Sequence, residues 1–210
     1  MPKITKDQHK QRQSEILHQC VDCFARKGFH QTSMRDLSKE LGVSLGGLYT
    51  YFKSKEDIIK AFIDRDRALA KEMFSAVSPE MTFWESIEQM AEMDVRVMSE
   101  PGAKKACAVW MQINAEAAIN LKVRKLVTAH YRYAIEQLSA LIKAGQERGE
   151  VLEDIDAEAL ASNLISFSDG LYFWQMLSLE TNGDSHVALF LRILKAGVCK
   201  QPSAKRRGGK

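Results

Sequence analysis

Apolar side chains recur along this chain every three or four residues, and the recurrence is interrupted by glycine, proline and hydroxyl-bearing residues. That spacing predicts a chain of amphipathic helices. Over residues 11–27 the apolar positions are Ile16, Leu17, Cys20, Val21 and Phe24, and Gly28 stops the helix. The polar residues 1–10 read as a flexible arm, whose Lys3, Lys6 and Lys10 are free to approach a phosphate backbone or simply to be solvated. A second helix over 32–41, capped by Thr32 or Ser33, turns Met34, Leu37 and Leu41 inward, and Gly42 can end it in a left-handed conformation. Ser44 then caps a third helix of about two turns, since Ser54, with Asp57 three residues on, caps the next. Leu48 and Phe52 share its buried face with Val43, while Tyr49, Thr50 and Tyr51 carry hydroxyls pointing elsewhere.

The pattern changes after Lys55. Residues 55–77 read as one long helix with Ile58, Ile59, Phe62, Ile63, Leu69 and Phe74 among its apolar positions, broken at Ser78-Pro79. A methionine-rich helix follows over 81–98, then helical stretches over 103–121 and 121–148. Residues 156–179 are apolar nearly all round, so that helix must be covered on more than one side. After a turn at 181–184, a last helix over 185–198 carries Val187, Phe190, Leu191, Leu194 and Val198.

Charge sharpens this picture. Residues 1–60 hold eleven Lys/Arg against seven Asp/Glu and residues 200–210 hold five Lys/Arg and no acid, which against a total of +3 leaves the middle at −6. An acidic body with basic extremities suits a protein with a DNA-facing end, as it also suits solvated tails. No stretch approaches the roughly 18 uninterrupted apolar residues of a membrane span, and the opening segment lacks a signal peptide's apolar core, so a cytoplasmic location and no membrane partner are expected. Cys20 and Cys23 stand as C-x-x-C within an amphipathic helix, with no second close pair to complete a metal site; they read as buried thiols, and neither a metal nor a cofactor is expected. No nucleophile elbow or phosphate loop is present, so an enzyme is not expected.

The run T-S-M-R-D-L-S-K-E-L-G-V-S-L-G-G-L-Y-T-Y-F-K-S-K-E-D, residues 32–57, resembles the signature of the tetracycline-repressor (TetR) family of bacterial transcription regulators. The resemblance covers about the first quarter of the chain. It implies an all-α fold, with an N-terminal three-helix helix-turn-helix domain and a C-terminal helical bundle for effector binding and dimerisation. The expected division is 1–54, 55–199 and a basic tail, 200–210, expected to be disordered. Carried over residue by residue, it implies DNA contacts at Thr32, Ser33, Arg35, Ser44, Leu45, Gly46, Gly47, Tyr49, Thr50, Tyr51 and Lys55. Leu45 departs from the pattern, because a polar or basic side chain is common there; leucine can pack on a thymine methyl, or turn inward with Leu48. Gly46 and Gly47 allow close backbone approach, so phosphate contacts and DNA shape should carry much of the recognition.

The expected function is a ligand-responsive repressor acting as a homodimer on a palindromic double-stranded DNA operator. An effector-independent or activating regulator, or a small-molecule carrier with a degenerate DNA module, stays open. The methionine and aromatic side chains of the C-terminal half suit a pocket as well as a core. Trp110, Asn114, Tyr131, Phe167, Leu171 and Trp174 are the candidate effector contacts, with an apolar or aromatic small molecule expected and Asn114 fixing a polar handle. The last two helices are expected to pair with a second copy in a four-helix interface.

Overall fold

Side-chain caps set the helix starts. In the computed structural model, which describes residues 5–178 and 183–199, Thr5, Ser33, Ser44, Ser54 and Thr82 each accept a backbone N–H from the first turn of the helix that follows. These are the starts of α1 (Lys6–Lys27), α2 (Met34–Glu40), α3 (Leu45–Tyr51), α4 (Lys55–Ser75) and α5 (Phe83–Ser99). Then come α6 (Ala103–Ile119), α7 (Leu121–Glu147), capped by Asn120, α8 (Ala157–Met176), capped by Asp156, and α9 (Gly183–Val198). The described residues form nine α-helices and no strand, so the fold is all-α.

The start of α1 corrects the flexible-arm expectation. Thr5 and Gln8 form a capping box, each side chain bonding the other's backbone N–H, and the helix therefore begins at Lys6. Lys3 of that arm, the turn residues 181 and 182 and the tail 200–210 lie outside the described residues.

Two apolar clusters organise the helices. The first joins α1–α4 to α6 and α7, through residues such as Phe24, Leu37, Leu48, Phe52, Ile59, Trp110 and Val127. The second joins α5, α7, α8 and α9, through Phe83, Ile87, Ile142, Leu160, Ala161 and Leu194. Helices α4 and α7 belong to both: α4 sets Ile58–Ile63 in the first and rests Met73 and Phe74 on the second, while α7 divides Val123 and Val127 from Leu138 and Ile142 in the same way. The close approach of α5 to α7 leaves little room for a side chain at Gly145, where a Cβ would sit 3.0 Å from the Phe83 Cβ and 3.1 Å from a Val151 methyl, so that these neighbours would have to shift by a few tenths of an ångström. Among the described residues no helix is long and apolar enough to cross a membrane, and no group of acids, histidines and cysteines could hold a metal ion.

Candidate nucleic-acid interface and ligand cavity

The turn between α2 and α3 is built by its backbone. Gly42 takes φ 64°, a conformation that costs a residue with a Cβ, and Val43 donates its N–H to Ser38 O at 3.1 Å. Leu37 and Leu48 are wholly buried and pin the two helices together. The outer face of α3 is thereby left free: Ser44, Gly46, Tyr49 and Thr50 are exposed, and Leu45 and Gly47 half-buried. The Ser44 hydroxyl accepts from Gly47 N–H at 3.0 Å, and the Thr50 hydroxyl donates to Gly46 O at 3.1 Å, leaving its lone pairs outward as acceptors. Ser33 and Arg35 are exposed at the start of α2.

Three of the sequence-derived contacts stand differently. Thr32 is only 2 % exposed and its hydroxyl donates to Gly28 O at 2.6 Å, so it braces the α1–α2 connection. The half-buried Tyr51 lays its ring 4.8 Å from that of His9. The Lys55 amine donates to Phe29 O at 2.9 Å and His30 O at 3.4 Å and lies 4.4 Å from the centre of the Phe29 ring. It ties the start of α4 to the end of α1. Lys55→Ala is expected to lower the unfolding free energy by about 1.5–3 kcal/mol, the range for hydrogen bonds to a charged group; a denaturant melt within 0.5 kcal/mol of the parent would remove this clamp from the account. Lys53, which sequence reasoning did not single out, is exposed and donates to Tyr49 O at 2.6 Å, at the C-terminal end of α3.

Between the two apolar clusters lies a cavity of about 320 Å³. Trp110, Tyr131, Phe167 and Leu171 line it, as the sequence led one to expect. Asn114 does not: its side-chain N–H₂ donates back to Trp110 O at 3.0 Å, within α6. Nor does Trp174, which is 44 % exposed on the outer side of α8. The wall is mostly methionine, aliphatic and aromatic, but it also carries Asp66 from α4, Asp94 from α5 and Asp169 from α8.

These acids are held by donors from neighbouring helices. The Tyr131 hydroxyl donates to Asp169 at 2.7 Å; the Ser168 and Tyr172 hydroxyls donate to Asp94 at 2.6 and 3.1 Å; and His130 Nε2 lies 3.3 Å from Asp66. Burial pushes the Asp66 carboxyl up to about 6, with Asp94 and Asp169 adding to the rise and Arg65 opposing it. Burial likewise raises Asp94 and Asp169 above the ordinary carboxylate range. His130 moves the other way, down to about 4, because burial and the nearby Arg67 disfavour its cation. At neutral pH it is an uncharged imidazole.

This architecture has known counterparts. Residues 16–62 match the family described as bacterial regulatory proteins, tetR family, and residues 88–196 match the module described as BetI-type transcriptional repressor, C-terminal. The HTH-type transcriptional regulator YfiR of Bacillus subtilis is 30% identical over 172 residues, 81% of this chain and 82% of that one. The regulator UidR of Escherichia coli K12 is 27% identical over 187 residues, covering 88% of this chain and 90% of its own. Salmonella enterica GusR superposes with a TM-score of 0.77 at 28% identity, over 94% of this chain and 99% of its own. The chain belongs to the TetR family. It is a transcription regulator with the family's DNA-binding helix-turn-helix, and not an enzyme.

In this TetR-family chain the cavity and the helix-turn-helix are tied by α6 as well as by α4. Gln112 of α6 accepts the Phe29 N–H at 2.7 Å and donates to Phe24 O at 3.2 Å, bridging to the end of α1. Lys105 pairs with Asp22 at 2.8 Å. Sequence reasoning missed these ties, and it missed the three cavity acids. One signal was available: Asp169, between Ser168 and Gly170, interrupts an otherwise apolar helix whose every side needs cover.

Proposed function

We propose that this TetR-family chain is a ligand-responsive repressor that acts as a homodimer on a near-palindromic operator. In this reading residues 1–54 face DNA, residues 55–199 bind the effector and a second copy, and the exposed side of α3 enters the major groove. Ser44, Leu45, Gly46, Gly47, Tyr49 and Thr50 meet base edges and phosphates. Ser33 and Arg35 meet the phosphate backbone, and Thr32, Tyr51 and Lys55 act by holding α3 in place. Dimerisation is supported by an apolar face along α8 and α9 that no described residue covers, with Phe173, Leu177, Leu189 and Ile193 all between 45 and 62 % exposed.

The observation that carries the reading is the path of α4. It borders the cavity at Phe62, Asp66 and Met73, and its first residue, Lys55, is bonded to the end of α1 next to the helix-turn-helix. A ligand that fits only one placement of α4 must therefore favour one spacing of the two α3 helices, and DNA is released by differential affinity for two states. Gel shifts with fragments upstream of the chain's own gene test this: a saturable, salt-sensitive shift is expected, and its absence with every fragment would sink the proposal.

The α6 bridge yields a second expected result. Gln112→Ala leaves the Phe29 N–H without its partner, while Phe24 O keeps the Gly28 N–H at 2.9 Å, so stability should fall by about 1–3 kcal/mol. Effector still binds, but the effector concentration needed to release operator rises several-fold. An unchanged release curve would show that α4 alone transmits the signal.

A further inference from the structure

We propose that the cavity binds an aliphatic amine with two ammonium groups, whose charged ends meet the carboxyls of Asp66, Asp94 and Asp169 and whose hydrocarbon spacer lies against the methionine and aromatic wall. The inference rests on reading the cavity as the effector site. Among the described residues four acids border the cavity, Glu72 being the fourth, and no lysine or arginine does. A cavity charged in this way repels anions, and a neutral ligand that fills it takes water from the half-buried acids without offering them a countercharge.

A second, independent feature asks for a hydrogen-bond donor. His130 is 8 % exposed, borders the cavity, and its Nδ1 has no partner among the described residues, while Nε2 faces Asp66. With the imidazole neutral and its proton on Nε2 toward Asp66, Nδ1 is a bare acceptor that an ammonium N–H satisfies. The hydroxyls of Tyr131, Ser168 and Tyr172 donate to Asp94 and Asp169 and so orient these carboxyls while leaving lone pairs for the ligand, whose positive charge favours their ionised form. Two positive charges suit the site better than one. The three carboxyls come from three helices, Asp94 and Asp169 raise Asp66, and Asp94 raises Asp169, so a single ammonium leaves part of that repulsion in place.

Ligand uptake is then coupled to protons. The groups bearing on Asp66 are Arg65 of its own helix, Asp94 of α5, Cys107 of α6, His130 of α7, on which Arg67 in turn bears, and Asp169 and Tyr172 of α8. Asp66 is raised to about 6, so amine binding near that pH displaces a proton, and affinity falls as pH drops from 7 to 5 because the cation needs the ionised carboxyl.

The test uses the full chain with 1,5-diaminopentane, 1-aminopentane, 1-pentanol and pentanoate, read by thermal shift and by calorimetry at pH 6 in two buffers of different ionisation heat. The diamine is expected to raise the melting temperature most, the monoamine less, and the alcohol and acid not at all, with net proton release on diamine binding. Asp94→Asn and Asp169→Asn, which keep a side-chain acceptor for the Tyr172 and Tyr131 hydroxyls, should melt higher than the parent when empty yet bind the diamine at least tenfold more weakly; a merely structural role for these acids would lower both. Equal stabilisation by pentanol or pentanoate, no stabilisation by either amine, or a monoamine as effective as the diamine overturns the proposal. Operator gel shifts without amine report on the regulator reading separately, since the cation claim can fail while DNA binding stands.

Discussion

Leu189→Glu together with Ile193→Glu on α9 is expected to convert the protein to monomers and to lower operator affinity by at least about 100-fold, the smaller end of the gain that linking two binding units provides. Both side chains are largely uncovered, at 48 and 62 % exposed, while Leu194 and Val198 of the same helix are buried in the second apolar cluster. The substitutions therefore spare the protomer's core and act on the outer face alone. Covering such a side chain in an interface stabilises it by roughly 1.5–3 kcal/mol, and four are covered at once in a symmetric dimer. Four buried carboxylates would in addition meet across the twofold axis. Ile119→Glu serves as the control: that residue is 74 % exposed at the α6–α7 corner, away from α9, and the same change there should leave both mass and affinity as they were. Light scattering and gel shifts on one set of samples decide the matter. A double variant that stays dimeric with unchanged affinity would mean that the subunits meet elsewhere.

What could be read from the sequence follows from the range of each signal. Caps are local, so Ser44 and Ser54 bracket α3 correctly from the sequence alone, and Gly42 falls where a left-handed residue is needed. The start of α1 was missed because Thr5 and Gln8 form their box in a polar segment with no apolar period to draw attention to it. The cavity acids were illegible for another reason. Asp66 sits in D-R-D-R, which reads as a solvated stripe, and only the packing of α5 and α7 against α4 shows that it borders the cavity. Trp174 failed conversely: on a helix apolar nearly all round, periodicity does not tell which side meets the cavity and which faces away. Lys55 was legible as a basic group at a helix start, but its partners are carbonyls 25 and 26 residues earlier in the chain.

Phe52→Ala is expected to have the largest effect on stability of any single change near α3, and the reason lies in where the chain leaves that helix. Phe52 is 2 % exposed, its N–H closes α3 on Leu48 O at 3.0 Å, and its backbone is already extended, so the ring drops into the first cluster as the chain turns toward α4. Truncating a buried phenylalanine costs about 3–5 kcal/mol, a large part of the roughly 5–15 kcal/mol that holds a domain folded. Because that cluster continues from α1 through α4 into Trp110 and Val127, the loss is shared by helices that border the cavity, and the unfolding midpoint of the whole chain should move. Tyr49→Ala is the informative partner. Tyr49 lies three residues away but 39 % exposed, so its truncation should change stability by no more than about 0.5 kcal/mol while still weakening operator binding. Urea melts and gel shifts on both variants separate holding α3 in place from reading with it, and equal stability losses at the two positions would refute the assignment of Phe52 to the core and of Tyr49 to the DNA-facing side.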